Sequence, residues 1–362
     1  MIKYAAIIFC LVLLTGQNIL AADELPQRGK AKVAVIQVEG AKKEDPFLAK
    51  FDVNRVRPLM EEHLAQEIGL FERAGEMGAD IVCGPEDMQG IGSYGLHLQT
   101  IDPQTGEILF KSLAVPVPGP LTDRFAAVAR KYSMYVLAPI YERDGDKVYN
   151  TTVIFDRKGE IIGKHRKTHL PIMETWLVTQ GDDYDTFDTD FGRIAVATCW
   201  EIIFPEITTI YALEGADIVF HPTMGRENDA GGSLSTAARY VTRCRDNFVY
   251  LAPVITGSDG NGIIDPRGKV VAEAVGEKNT VVMAEIDFSQ EPLSRSKWWN
   301  TINGTNNEKA MVMLSRNPAL FKYIVEQNPV LLERYRDILM TDGTTGKREA
   351  QIKAMKEVDY GP

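Results

Sequence analysis

The apolar positions of this chain alternate between two spacings. Lys32-Val33-Ala34-Val35-Ile36-Gln37-Val38 is a β-branched run typical of a buried strand. From Phe51 to Gly78, leucines, alanines and acids fall at helical spacing, and the stretch closes on glycine. Ala79-Asp80-Ile81-Val82-Cys83-Gly84-Pro85 then returns to a short apolar run. Strand, helix, strand is the pattern of an α/β fold. Further strands are predicted at Tyr135–Ile140, Thr151–Phe155, Arg193–Ala197, Phe248–Val254 and Val281–Ile286, with helices at Glu206–Glu214 and Thr236–Asn247. Turn-rich links such as Arg157-Lys158-Gly159 and Pro266-Arg267-Gly268 predict hairpins between several of the strands.

One internal echo bears on the architecture. Gly78-Ala79-Asp80-Ile81-Val82 and Gly215-Ala216-Asp217-Ile218-Val219 are the same five residues, and each leads to a proline, Pro85 or Pro222. Glycine closing a helix before an apolar strand is common, so the repeat gives mild support to a fold with two similar halves. Beyond about Lys297 the texture changes. Asn317-Pro318 and Asn328-Pro329 look like helix caps followed by proline at the first turn, and Lys347 to Lys356 is polar and helical in composition. The reading is a main domain over residues 30–296 and a helical extension over 297–362, packed on that domain or on a partner subunit.

The N-terminus carries a different message. Lys3, an apolar run from Tyr4 to Leu14, a polar break and the pair Ala21-Ala22 have the layout of a secretory signal peptide, with cleavage after Ala22. The run is about half of the ~20 apolar residues that a spanning helix needs. Residues 1–22 are therefore expected to be removed, leaving an exported chain without a stable membrane span. Export makes the cysteine count informative. Without Cys10, the odd set Cys83, Cys199 and Cys244 remains, so at least one thiol stays free. None has the short spacing to another cysteine or to histidine that a metal site wants, so neither metal nor cofactor is expected. The 362 residues, 44% hydrophobic, suffice for one large domain or two ordinary ones, and a net charge of −10 argues against a nucleic-acid partner.

Several possible motifs lead nowhere. Gly90-Ile91-Gly92-Ser93-Tyr94-Gly95 matches a dinucleotide glycine pattern but does not join a strand to a helix, so it reads as a loop. Asp182-Asp183-Tyr184-Asp185 lacks the spacing of a calcium loop and reads as a solvated hairpin. There is no G-x-S-x-G nucleophile elbow.

Three other stretches converge. Glu86 follows a buried strand, where α/β proteins place their ligands, and desolvation would raise its pKa toward general-base values. Alone, a loop glutamate is more often simply solvated. Lys164-His165-Arg166-Lys167-Thr168-His169-Leu170-Pro171 could be a basic surface patch; otherwise a lysine here supplies positive charge to an oxyanion, oriented by Glu174. Cys199 lies at the end of the predicted strand Arg193–Ala197, at a turn whose free N–H groups would lower its pKa and hold an oxyanion. Cys83 lies within a strand and Cys244 within a helical run, and both read as structural.

In this order the motifs resemble the nitrilase, or carbon–nitrogen hydrolase, superfamily, over roughly Lys32 to Phe288. Gly84-Pro85-Glu86-Asp87 resembles the base motif, His165 to Pro171 the lysine motif, and Thr198-Cys199-Trp200-Glu201 the nucleophile motif. Glu174 falls where many members carry a second glutamate. Gly181 to Ile194 resembles the hairpin that leads into the cysteine strand, and Asp265-Pro266-Arg267-Gly268 a late turn. The resemblance implies a four-layer α-β-β-α sandwich with two similar halves, and a homodimer or larger homo-oligomer. It implies that Glu86 is the base, Lys167 and the Trp200 N–H stabilise the anion, and Cys199 attacks. Arg226, Glu227 and Asn228, past the second repeat, are expected to line the substrate pocket by position. The substrate expected is a small molecule with an amide, ureide or N-carbamoyl bond. A nitrile is the alternative, because Cys199-Trp200-Glu201 resembles the nitrilase branch, although Ile202 stands where that branch usually has asparagine. Acyl transfer and a non-catalytic scaffold are the remaining readings.

Overall fold

The computed structural model describes residues 26–39, 52–171, 174–225, 233–257, 259–321 and 324. The chain runs β1 (Lys30–Gln37), α1 (Val53–Glu76), β2 (Ile81–Cys83), α2 (Leu109–Leu113), α3 (Pro120–Tyr132), β3 (Tyr135–Asp144), β4 (Lys147–Phe155) and β5 (Ile161–Arg166). It continues through β6 (Thr186–Asp188), β7 (Arg193–Val196), α4 (Pro205–Leu213), β8 (Ile218–Thr223), α5 (Ala238–Asn247), β9 (Tyr250–Ile255), β10 (Asn261–Ile264), β11 (Val270–Ala274) and β12 (Thr280–Asp287). Two short helices, α6 (Lys297–Asn303) and α7 (Glu308–Leu314), follow.

The strands form two six-stranded sheets, ordered β12-β1-β2-β3-β4-β5 and β11-β10-β9-β8-β7-β6. From β12 the first sheet pairs antiparallel, parallel, parallel, antiparallel, antiparallel. From β6 the second repeats that series. The halves therefore match, with β2 equivalent to β8. The five-residue echo marks this equivalence and has a physical reason. Gly78 (φ 78°) and Gly215 (φ 89°) take the left-handed conformation that ends the preceding helix. Asp80 then accepts the Lys32 N–H at 2.8 Å, and Asp217 the Arg193 N–H at 3.0 Å, pinning each strand to its parallel neighbour.

Alternation along β1 builds the layers. Val33 and Val35 face the space between the sheets, where they pack with Ile81, Leu137, Ile194, Val196, Phe220 and Val254. Ala34 and Ile36 face outward, against Phe71 and Ala74 of α1 and Phe125 of α3. On the far side, Ala195, Val219 and Leu251 meet Tyr211 of α4 and Tyr240 and Cys244 of α5. The result is the four-layer α-β-β-α sandwich.

Most predicted elements stand within a few residues of their sequence limits, and both predicted hairpins join antiparallel strands. Three details differ. Gly90–Gly95 leads into a 3-10 segment, Ile91–Gln99, instead of a plain loop. Asp182–Asp185 is not a hairpin but the loop entering β6; the hairpin is the β6–β7 pair beyond it. The basic cluster begins inside a strand that is not among those predicted from the sequence: its first three residues are the end of β5, with Lys167 just outside. The signal-peptide region, Asn328-Pro329 and Lys347–Lys356 lie outside the described residues. No helix among the described residues is long and apolar enough to cross a membrane.

Candidate active site

Glu86 sits on the loop that leaves β2, and backbone constraints hold that loop. Asp87 takes a positive φ of 61°, and its carboxylate accepts the N–H groups of Ile91 (3.0 Å) and Gly92 (2.6 Å). The Met88 N–H reaches the Pro139 carbonyl at 3.0 Å, and the Thr256 hydroxyl donates to the Glu86 carbonyl at 2.9 Å. The Glu86 side chain is thus buried in a fixed place, where its Oε2 accepts the Met224 N–H at 2.8 Å.

Lys167 follows β5 by one residue. Its N–H donates to the Asn150 carbonyl at 2.8 Å, and its carbonyl accepts the Gly181 N–H at 2.9 Å. Its ammonium reaches Glu86 Oε1 at 3.0 Å and Glu174 Oε2 at 2.6 Å, with the side chain only 1% exposed. Those two partners use two of its three N–H bonds. Asn150, in the middle of β4, donates one amide hydrogen to Glu86 Oε1 (2.7 Å) and one to Glu174 Oε1 (2.9 Å).

Cys199 closes the set from the second sheet. It lies past the end of β7 and begins a 3-10 turn, Cys199–Ile203, that leads to Pro205 at the start of α4. Its φ of 50° lies in the left-handed region, which a side chain adopts only under constraint from its surroundings. The thiol lies beside Glu86, Lys167 and Thr223, all of which act on its ionisation. Trp200, half exposed, follows it in the first turn, where backbone N–H groups have no partner within the helix.

The electrostatics differ from the sequence expectation in two places. Burial pushes the Glu86 carboxyl up, but Lys167 and Asn150 outweigh it, so its pKa is lowered and not raised. Burial and the Glu86 charge drive the Cys199 thiol up to about 12, against the smaller help of Lys167 and Thr223; the turn N–H groups do not bring it down. Lys167 is held above its usual value, because Glu86, Cys199 and Glu174 overcome burial. Glu174 is raised, by burial foremost. At rest the site therefore holds a neutral thiol beside an ionised Glu86 and a cationic Lys167.

The structure thus places Glu86, Lys167, Glu174 and Cys199 together. Arg226, Glu227 and Asn228 lie outside the described residues. Asn150 was missed. Its signal was an asparagine inside Val148-Tyr149-Asn150-Thr151-Thr152-Val153, a strand whose neighbours favour β structure where asparagine does not. Cys83 and Cys244 are buried and unpaired, consistent with structural roles. Among the described residues, no group of three or more histidine, cysteine or carboxylate side chains could hold a metal.

In this mixed α-β-β-α sandwich, a cysteine, a lysine and two glutamates converge between the two halves. The profile of the carbon–nitrogen hydrolase family matches residues 32–292. An omega-amidase from Bos taurus is 30% identical over 255 residues, covering 65% of this chain and 87% of its own length. A bifunctional nitrilase/nitrile hydratase from Lupinus angustifolius is 29% identical over 259 residues, covering 63% of this chain and 73% of its own. Among solved structures, Saccharomyces cerevisiae Nit3, a member of branch 10 of the nitrilase superfamily, aligns with a TM-score of 0.54 at 26% identity, over 72% of this chain and 90% of that one. The Caenorhabditis elegans NitFhit protein aligns with a TM-score of 0.61 at 21% identity, over 82% and 67%. The chain belongs to the carbon–nitrogen hydrolase family of the nitrilase superfamily, and it is a hydrolase of carbon–nitrogen bonds other than peptide bonds.

Proposed function

We propose that the chain hydrolyses the carbon–nitrogen bond of a small-molecule amide, ureide or N-carbamoyl compound through a thioester on Cys199. Glu86 takes the thiol proton as Sγ bonds to the carbonyl carbon. The oxygen gains the charge, which the free N–H of Lys167 and the Trp200 N–H hold. Glu86 returns its proton to the nitrogen as the carbon–nitrogen bond breaks, takes one from water as the water oxygen bonds to the thioester carbon, and passes it to Sγ as the carbon–sulfur bond breaks. Glu174 and Asn150 keep Lys167 and Glu86 in register. The observation that carries this reading is the joint placement of the Lys167 ammonium and the Cys199 thiol against one buried carboxylate, Glu86.

The omega-amidase relatives favour an amide, as does Ile202 in place of asparagine. The nitrilase relatives keep a nitrile as the second reading. Ammonia release from paired amides, N-carbamoyl compounds and nitriles decides between them. Preference for the nitrile of a matched pair refutes the amide assignment. Arg226 and Glu227 are proposed as substrate-contacting residues from their position in the sequence alone.

Export with loss of residues 1–22, and assembly into a homodimer or larger oligomer, belong to the same proposal. The N-terminal layout supports the first. Exposed apolar residues on the C-terminal helices, Trp298 at 68% and Leu314 at 85%, support the second. The N-terminal mass of exported protein and light scattering test them; a retained leader or a monomer contradicts the respective point.

A further inference from the structure

A second buried carboxylate beside Cys199 takes no part in that chemistry. Glu201 is 0% exposed. Its Oε2 accepts the Thr198 N–H at 2.6 Å and lies 2.8 Å from His165 Nε2. Its Oε1 accepts the Thr168 N–H at 2.7 Å and the Thr168 hydroxyl at 2.6 Å. Four donors fill the acceptor capacity of an ionised carboxylate. Burial opposes that charge, yet His165 and Thr168 outweigh it and hold Glu201 at about 2. The other His165 nitrogen, Nδ1, faces the Tyr211 hydroxyl at 3.5 Å.

The donors come from two separate pieces of the fold. Thr198 immediately precedes Cys199, on the turn leaving β7. His165 and Thr168 flank Lys167 at the end of β5. These strands belong to different sheets, so no ladder of backbone hydrogen bonds fixes one against the other. The apolar packing between the sheets is non-directional. A charged, four-fold hydrogen-bonded carboxylate is directional, and it bridges the segments that carry the thiol and the ammonium.

We propose that Glu201 is a positioning residue that ties the Lys167 segment to the Cys199 turn and so sets how the ammonium meets the thiol. This rests on the reading of Cys199 as nucleophile and Lys167 as its cation. Glutamine at this position keeps the shape but has one acceptor oxygen, and its NH2 group would face N–H donors.

The test is Glu201→Gln in the full chain, read by steady-state kinetics and by the pH profile of Cys199 alkylation with iodoacetamide. Expected are a kcat lowered roughly 10- to 100-fold, a KM within about threefold of wild type, and an alkylation profile moved to higher pH as Lys167 loses its place. Thr168→Val, which removes the hydroxyl bonds to Glu201 and to His169 Nδ1 but keeps the Thr168 N–H bond to Glu201, should move both readouts the same way by less. The double variant should match Glu201→Gln alone, since both substitutions break one tie. A folded Glu201→Gln protein with lower thermal stability but unchanged kcat and alkylation profile overturns the proposal. If Glu201→Gln does not fold, unchanged kcat and alkylation in Thr168→Val overturn it instead. Alkylation needs no substrate. A shifted profile in a chain whose wild type hydrolyses no carbon–nitrogen bond would therefore support the tie while refuting the functional reading.

Discussion

Lys167 and Glu86 meet at 3.0 Å with their side chains 1% and 3% exposed. Water does little to screen a pair so placed, and each partner holds the other charged. A buried pair of this kind is not a source of stability in itself, since desolvation offsets much of the attraction. What it does in the site is to hold an ionised carboxylate and a fixed cation beside a neutral thiol.

Asn150 is the support that this pair needs. Replacing it with leucine removes both amide donors, leaves Glu86 and Glu174 each one bond short and frees them to move apart. We expect kcat/KM to fall roughly 100-fold. Steady-state kinetics on the folded variant measure it, and activity near wild type would show that Lys167 alone suffices.

Glu174 and Glu86 should titrate in separate steps, because the first is raised and the second lowered. As pH falls, Glu174 protonates first and loosens Lys167, so kcat/KM should drop partway; it should drop fully only when Glu86 protonates. In Glu174→Gln the upper step should vanish and the lower one remain. An upper step that persists would assign it to another group.

Gly181 passes close under Lys167. A Cβ on Gly181 would lie 2.1 Å from the Arg166 carbonyl oxygen, a backbone atom that cannot turn aside. Gly181→Ala should therefore push the end of β5 and lower kcat roughly tenfold or more. Kinetics beside a thermal melt test this, and unchanged kcat would mean that the segment yields elsewhere.

His221 gives a prediction about stability. Burial lowers its pKa from 6.5 to about 4, against the pull of the Ala197 carbonyl, which its Nδ1 meets at 2.6 Å. Between those values the unfolded chain binds a proton that the folded one refuses, so stability falls as pH drops from 6.5 toward 4. The full effect is about 3 kcal/mol by the usual 1.36 kcal/mol per unit. Denaturant unfolding of wild type and His221→Gln across this window measures it. Parallel losses in the two proteins would contradict the assignment.

The sequence made the site residues legible where the signal is local. Glu86 and Cys199 each follow a predicted strand, Lys167 stands out in a basic cluster, and the repeat at Asp80 and Asp217 reports the two halves. What escaped depends on distant neighbours. Desolvation by itself would raise the Glu86 pKa; Lys167, 81 residues away, reverses the sign. Asn150 matters only because β4 pairs with β5 in a register that sets Thr151 opposite Arg166, next to Lys167. Glu201 ties two sheets whose packing no local pattern encodes.

The central claim is that Cys199 carries the acyl group, and acid-quenched mass spectrometry during turnover of a slow amide tests it most directly. The account predicts an acyl adduct on the peptide containing Cys199, absent in Cys199→Ala, which should be folded and inactive. Full hydrolysis by purified Cys199→Ala, or an acyl adduct on Cys83 or Cys244 instead, would contradict it.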